Sequence, residues 1–321
     1  MSITVSRDAF RLAEVFTISR GSRTEAKVLT VTVSDGQHMG RGECVPYARY
    51  GESLDSVTAQ IEGYSGALDR MALLEEMPAG AARNALDCAL WDLEAKRAGT
   101  PVWQLAGLPA PGPLTSAFTL SLASPDEMRA SAARNAHRPL LKVKLGTPED
   151  MPRLEAVRQG APQSTIVLDA NEGWSAAAYG ELAPHLERLG VSMVEQPLPA
   201  GQDDGLDGIA RPVPLCADES CHDRSSLPAL KGRYDMINIK LDKTGGLTEA
   251  LALRAAGRAQ GFKIMIGCMV GSSLAMAPAV LLGQGADVVD LDGPLLLAED
   301  RDPALTFEGS VLHPAPSALW G

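Results

Sequence analysis

Short apolar runs that end on charge recur along the second half of this chain: LLKVK, TIVLD, MVE, PLCAD, MINIK and DVVDLD, all between Leu140 and Asp292. Their endings read Lys-x-Lys, Asp, Glu, Asp, Lys and Asp-x-Asp. Core strands ordinarily exclude charge, so charge at the same end of run after run predicts strand ends that converge on one charged cavity. The start of the chain is patterned differently. From about Val28 to Val33 apolar and polar residues alternate, Asp35-Gly36 supplies a turn, and a second short strand leads towards Cys44, which predicts antiparallel hairpin structure. SLDSVTAQIEGY and AGAARNALDCALWDLEAKRAG then carry apolar residues at helical spacing, the second closing on a basic turn followed by Gly99 and Pro101. Residues 1–112 therefore read as an α+β unit.

From Thr115 onward strands are expected near 115–122, 140–145, 165–169, 192–195, 214–218, 235–240, 263–268 and 287–291, separated mostly by helical patterns such as GLTEALALRAAGRAQG. A period of roughly 20–27 residues is the β-α alternation of an eight-stranded parallel barrel, an α/β architecture assigned to 113–299. A dinucleotide-binding sheet fits less well, because no G-x-G-x-x-G follows the first strand. The segment 300–321 lacks helical periodicity and is expected to pack back onto the first unit.

Composition narrows the partners. The 321 residues are 45% hydrophobic and 21% charged, an ordinary globular balance, with a formal net charge of −11. That charge, without any Lys/Arg cluster, disfavours nucleic acid and anionic membranes. The five cysteines, Cys44, Cys88, Cys216, Cys221 and Cys268, are odd in number and form no C-x-x-C pair, which favours reduced thiols. MSITVSRDAF lacks signal-peptide character and no apolar stretch is long enough to span a bilayer, so a cytoplasmic protein is expected.

The charged ends sort by the two-residue strand period: Lys142 and Lys144 share a face, as do Asp290 and Asp292. Asp169, Glu195 and Asp218 end three successive strands, and three oxygen ligands without nearby His or Cys favour Mg²⁺ over zinc. Each acid taken alone also reads as a cap of the following helix, Asp218 in ADES most plausibly. Lys144 and Lys240 come from opposite sides of the barrel and flank that trio. Burial near another cation, Lys142, is expected to lower the pKa of such a lysine towards neutrality and make it a general base. The plainer alternative is lysines snorkelling into solvent. Two ammonium groups facing each other across a metal-bound carboxylate suit removal of an α-proton from one face and its return on the other, with the metal neutralising charge that builds in the enediolate. That is racemisation or epimerisation.

The chain resembles the enolase superfamily, its muconate-lactonizing-type branch, and within that the L-Ala-D/L-Glu dipeptide epimerases. The resemblance covers nearly the whole chain through RGSR at 20–23, GECVPYARYGES at 42–53, AGAARNALDCALWDLEAKR at 79–97, KVK at 142–144, LDANE at 168–172, EQPLP at 195–199, CADES at 216–220, NIKLDKTGG at 238–246, GCM at 267–269 and DLDGP at 290–294. It implies a modified (β/α)7β TIM-type barrel under an N-terminal α+β capping domain, one Mg²⁺ per subunit on Asp169, Glu195 and Asp218, and acid/base roles for Lys144 and Lys240. It further implies that Asp290 and Asp292 bind the dipeptide's ammonium and that Arg23 faces the Glu side-chain carboxylate, a task suited to a guanidinium fork. Arg20 and Arg49 are nearby candidates for the same task. Cys268 and Met269 are expected to line the pocket by packing and main-chain contact, without a nucleophilic thiol. Asn171 and Glu219, beside the ligands, read as residues that orient carboxylates or balance lysine charge. The Lys-plus-His pairing of the mandelate-racemase branch has no counterpart among the strand ends.

The resemblance points to epimerisation of L-Ala-D-Glu and L-Ala-L-Glu in recycling of cell-wall peptides. N-acylamino-acid racemisation, o-succinylbenzoate synthesis and muconate cycloisomerisation are sibling alternatives, and a silent metal- or peptide-binding barrel is a further one. Family members often oligomerise, so a homo-oligomer stays open.

Overall fold

The computed structural model describes residues 1–147 and 150–321. Strands β1 (Ser2–Ile18), β2 (Gly21–Ser34) and β3 (Met39–Cys44) form an antiparallel sheet, and helices α1 (Leu54–Glu62), α2 (Arg70–Glu76) and α3 (Ala81–Ala98) pack with it. α3 is buried along almost its whole length. One side of it joins the core of the sheet, with Leu29, Val31 and Val33, while Cys88, Trp91 and Ala95 join the barrel core. Ala-rich composition permits this double burial, because small side chains let backbones approach closely. Gly40 and Gly42 on β3 complete the fit: a Cβ at either would lie 2.1 Å from a carbonyl oxygen of α3. Gly99, in the left-handed region at φ 60°, ends the helix as its sequence predicts.

The expected strand at 115–122 is two elements. β4 (Leu114–Thr115) pairs with a C-terminal hairpin of β13 (Phe307–Glu308) and β14 (Val311–Leu312), and only β5 (Phe118–Leu120) enters the barrel. The seven strands that follow fall where the apolar runs place them, all but β11 at runs that end on charge: β6 (Leu140–Lys144), β7 (Thr165–Asp169), β8 (Val191–Glu195), β9 (Leu215–Ala217), β10 (Met236–Ile239), β11 (Lys263–Ile266) and β12 (Val288–Val289). β5 to β12 form one parallel eight-stranded sheet in chain order. Single hydrogen bonds cross the seam between its edge strands, from Ala117 N to Val289 O (2.8 Å) and from Thr119 N to Asp292 Oδ2 (2.6 Å). Val167, Met193, Cys216, Met236 and Met265 fill the interior towards the strand starts, so the barrel is a packed core with its open end at the charged termini.

Parallel register sets those termini level. Lys144 pairs with Asp169, Asp169 with Glu195, and Glu195 with Cys216, two residues before Asp218. The tip of the β1–β2 hairpin lies over this end: Ser19 Oγ and Arg20 Nη1 donate to Asn171 O at 3.1 and 2.8 Å. The last residues lie against the first unit, through Arg301 to Asp8 and Glu43, Arg41 to Leu319 O, and Trp320 Nε1 to Cys88 O.

Candidate active site

Three buried carboxylates form a row across β7, β8 and the end of β9, and each divides its oxygens the same way. Asp169 Oδ1 accepts from Asn171 N at 2.9 Å, Glu195 Oε1 from Asn238 Nδ2 at 2.7 Å, and Asp218 Oδ1 from Lys243 Nζ at 2.6 Å. The second oxygens meet the lysines read from the sequence. Asp169 Oδ2 takes Lys144 Nζ at 2.6 Å and lies 3.1 Å from Lys142 Nζ; Asp218 Oδ2 takes Lys240 Nζ at 2.6 Å. Glu195 Oε2 lies 2.7 Å from Lys142 Nζ but outside hydrogen-bonding geometry, and is left without a hydrogen bond among the described residues.

Sharp backbone turns hold the row. Asn171, Glu172 and Gln196 adopt positive φ (45°, 66° and 35°), left-handed conformations that cost non-glycine residues about 1–3 kcal/mol each and concentrate where function requires them. At Asn171 the turn brings its own N–H back onto Asp169. Gln196 Oε1 accepts from Asp218 N and Ser220 N, tying β8 to the loop after β9.

The electrostatics follow from burial and charge balance. Burial disfavours the Glu195 carboxylate and the Asp169 charge adds to that, so its pKa is raised. At Asp169 and Asp218 burial acts in the same sense, but the lysines outweigh it: Lys144 and Lys142 at the first, Lys240 and Lys243 at the second, and both pKa values are lowered. A lysine lowered towards neutrality is not found at Lys142 or Lys240. Burial does oppose their charge, yet Asp290 and Glu195 around Lys142, and Asp218 and Glu195 around Lys240, hold both well above the ordinary lysine value.

Could this row hold Mg²⁺? All six carboxylate oxygens are hard donors, with Glu195 Oε2 orphaned. Among the described residues no three such side chains are drawn into a chelating cluster, because ammonium groups lie between them. The donor chemistry of the three carboxylates fits the cation.

A small cavity of about 60 Å³ opens above the row. Lys144, Lys240, Asn171, Glu219, Cys268, Met269 and Arg23 all line it, together with Arg20, Tyr47 and Tyr50 from the first unit. A roomier cavity, about 560 Å³, lies elsewhere, between β1, the helix Pro125–Arg134 and Leu295–Leu296, and contains none of the candidate chemistry. Asp290 and Asp292 are buried beside the site. Asp290 Oδ2 accepts from Lys142 at 2.8 Å while its Oδ1 has no hydrogen-bond partner among the described residues, and Asp292 is held by Thr119 N. Burial and the neighbouring Asp290 raise the Asp292 pKa.

The three arginines separate cleanly. Arg49 is bidentate on Glu172 (2.7 and 2.6 Å), and Arg20 spans Glu172 and Glu219 (3.1 and 2.9 Å). Arg23 makes no hydrogen bond or ion pair among the described residues; its guanidinium lies 5.6 Å from the Tyr47 ring centroid, at the cavity. Glu219 is raised in pKa by burial and by Asp218 and Asp169, with Oε2 unpartnered among the described residues. The Cys268 thiol is pushed up by burial and by Asp290 and Asp292, so it stays protonated.

Sequence reading missed Asn238, Lys243, Gln196 and Tyr50. Asn238 carried a usable signal, standing two residues before Lys240 on the same strand face; Lys243 had only its i+3 spacing from Lys240.

An eight-stranded parallel barrel with acids and lysines at its strand ends, under a cap that supplies arginines and tyrosines, defines an enzyme of the barrel-plus-cap type. The chain belongs to the enolase superfamily: residues 127–296 match the enolase C-terminal domain-like family, and residues 1–107 the mandelate racemase/muconate lactonizing enzyme N-terminal domain. It is 48% identical over 318 residues to L-Ala-D/L-Glu epimerase of Escherichia coli (strain K12), covering 97% of this chain and 99% of that one. N-acetyl-D-glutamate racemase of a Pseudoalteromonas species is 45% identical over 92% of this chain and 95% of its own. An enolase family member from Agrobacterium tumefaciens, with homology to dipeptide epimerases and solved with bound sodium and L-Ala-L-Glu, superposes with a TM-score of 0.97 at 54% identity, over 99% of each chain.

Proposed function

We propose that the protein is a Mg²⁺-dependent dipeptide epimerase of the cytoplasm that interconverts L-Ala-D-Glu and L-Ala-L-Glu by proton transfer at the Cα of the second residue, in recycling of murein peptides. The observation that carries this reading is the pair Lys144 and Lys240, which line one cavity and contact opposite ends of a row of three carboxylates.

Asp169, Glu195 and Asp218 would hold one Mg²⁺. Bound there, the cation supplies electrostatic stabilisation of the negative charge that develops on a substrate carboxylate as its α-proton leaves. Lys144 takes the proton from one face and Lys240 returns one on the other, with the roles exchanged in the reverse direction. The carboxylates that raise Lys240 also define what must change: it becomes a base only once its contact with Asp218 is exchanged for a substrate. Lys142, gripped by Asp169, Glu195 and Asp290, stays charged and balances the acids. Asp290, with one oxygen unpartnered, would accept the substrate ammonium beside Asp292, and Arg23, the uncommitted arginine, would take the Glu side chain. Cys268 and Met269 would pack along the peptide, while Asn171 and Glu219 steady Asp169 and Arg20.

N-acylglutamate racemisation is the second reading, favoured by the Pseudoalteromonas relative. It leaves the unpartnered Asp290 oxygen without a cation to meet.

Incubation of L-Ala-L-Glu, L-Ala-D-Glu and N-acetyl-D-glutamate in D₂O with Mg²⁺ decides between them. The dipeptides should exchange the α-hydrogen and epimerise with the higher kcat/KM. Preference for the N-acetyl compound would sink the dipeptide reading, and no exchange from any would sink both. In Lys240→Ala epimerisation should vanish while one epimer still exchanges its proton through Lys144; full epimerisation by that variant would refute the two-base mechanism.

A further inference from the structure

The three carboxylates differ in what holds their inner oxygen. Asp169 is held by a backbone N–H and Glu195 by a neutral amide, but Asp218 is held by the ammonium of Lys243. Lys243 is fully buried and spends its donors on three fixed acceptors: Asp218 Oδ1 (2.6 Å), Asp218 O (2.5 Å) and Asn238 O (2.9 Å). An ammonium has three donors, so none remains for a substrate. Lys240 sits one helical turn earlier, at the N-cap of the short helix Leu241–Thr244, and holds the opposite oxygen of the same carboxylate. Asp218 is thus clamped between two lysines of one segment, one saturated and one at the cavity.

We propose that Lys243 is a positioning residue for the epimerisation: it locks the Asp218 carboxylate in one orientation, so that only Oδ2 is available to a cation, and the arrival of that cation releases Lys240, never Lys243. The segment 238–243 then fixes Glu195 through Asn238, fixes Asp218 through Lys243, and delivers Lys240 between them. The inference rests on the proposed Mg²⁺-dependent epimerisation and adds the device that couples cation binding to deployment of one of its two bases.

The direct test is the crystal structure of the wild-type protein grown with Mg²⁺. Lys243 Nζ should remain on Asp218 Oδ1 while Lys240 Nζ has left Oδ2. Coordination through Oδ1 with Lys243 displaced would overturn the proposal. Two variants test it in solution, where Mg²⁺ affinity is measured by calorimetry on the folded protein without substrate. K243Q and K243M both lose the charge, but only the first keeps a donor. Partners that orient metal ligands are worth about 10–100-fold in affinity, so K243Q should bind Mg²⁺ at least tenfold more tightly than K243M. K243Q should also keep proton exchange on the face served by Lys240 more than tenfold better than K243M, with the Lys144 face little changed between them. Equal Mg²⁺ affinities and equal loss on both faces mean that Lys243 only supports the fold, and overturn the proposal. Should K243M not fold, the comparison of K243Q with wild type takes its place: a loss confined to the Lys240 face supports the device, and a loss shared by both faces overturns it. Failure of every dipeptide to exchange, with Mg²⁺ bound and Lys243 in place, would instead count against the proposed reaction.

Discussion

At the scale of single residues, what a charged side chain can do depends on which of its partners are already taken. Arg23, alone of the three arginines, lines the cavity without a hydrogen bond or ion pair among the described residues, and its proposed role has a sharp consequence. A hydrogen bond to a charged group is worth about 1.5–3 kcal/mol, so Arg23→Leu should lose roughly 10–150-fold in kcat/KM for L-Ala-D-Glu. A dipeptide with an apolar second residue should lose far less; equal losses for both substrates would place Arg23 outside the specificity pocket. Asp87 shows the reverse case, a buried acid whose hydrogen bonds do not offset burial. It accepts from Thr248 N (3.0 Å) and Thr248 Oγ1 (2.5 Å), yet burial holds its pKa up at about 6. Because the folded protein binds this proton more tightly than the unfolded chain, the Asp87 contribution to stability is fully present below about pH 4 and falls as pH rises through 6. The shift corresponds to about 3 kcal/mol at most. The difference in urea-unfolding free energy between wild type and Asp87→Asn should therefore change with pH between 4 and 6 and be flat above 7; a flat difference throughout would contradict the assignment. Residues of this kind were the hardest to read from sequence. The strand-end rule finds groups that point into the cavity, but Lys243 reaches back from the helix after its strand, and only three-dimensional proximity to Asp218 reveals its work.

Elements were more legible, because hydrophobic period and breaker residues act locally. Seven of the eight expected barrel strands lie where their apolar runs placed them, since a parallel strand buried on both faces writes a largely apolar run. The first failed for a physical reason. Leu114–Thr115 and Phe118–Leu120 are continuous in pattern, but the former is claimed by the C-terminal hairpin, a pairing at a sequence distance no local pattern encodes. The union of cap and barrel was likewise hidden. It depends on α3 burying both of its sides, and on Gly40 and Gly42 admitting α3 against β3. Both glycines face the helix because they stand two apart on the strand. Gly42→Ala would push a methyl group into the Ala85 carbonyl, a backbone atom with no rotamer to yield. Overpacking of this kind costs about 1–3 kcal/mol or more, and chemical denaturation should find Gly42→Ala destabilised to that extent. An unchanged midpoint would mean that sheet and helix are not locked as described.

For the whole molecule, the cap and the barrel share one helix, and the candidate site is lined from both units, so the proposed cation binding and global stability should be linked. Asp169, Glu195 and Asp218 are brought level only by the register of folded strands, which the unfolded chain does not reproduce. A ligand that binds the folded state alone stabilises it by about 2.7 kcal/mol at one hundred times its dissociation constant. Unfolding followed through a fluorophore in the cap and through circular dichroism of the barrel should give a single transition, because α3 belongs to both cores. Its midpoint should climb with Mg²⁺ and fall back when a chelator is added. In Asp169→Asn the same titration should leave the midpoint nearly still, since one of the three carboxylates has lost its charge. That variant also reports on the lysines. Lys144 and Lys142 both lose a charged partner, at 2.6 and 3.1 Å, so any change in stability without Mg²⁺ measures how far these two ion pairs together support the fold, separately from the cation. Should Mg²⁺ stabilise Asp169→Asn as strongly as wild type, the cation binds somewhere other than the carboxylate row, and the assignment of the two bases around it would have to be abandoned with it.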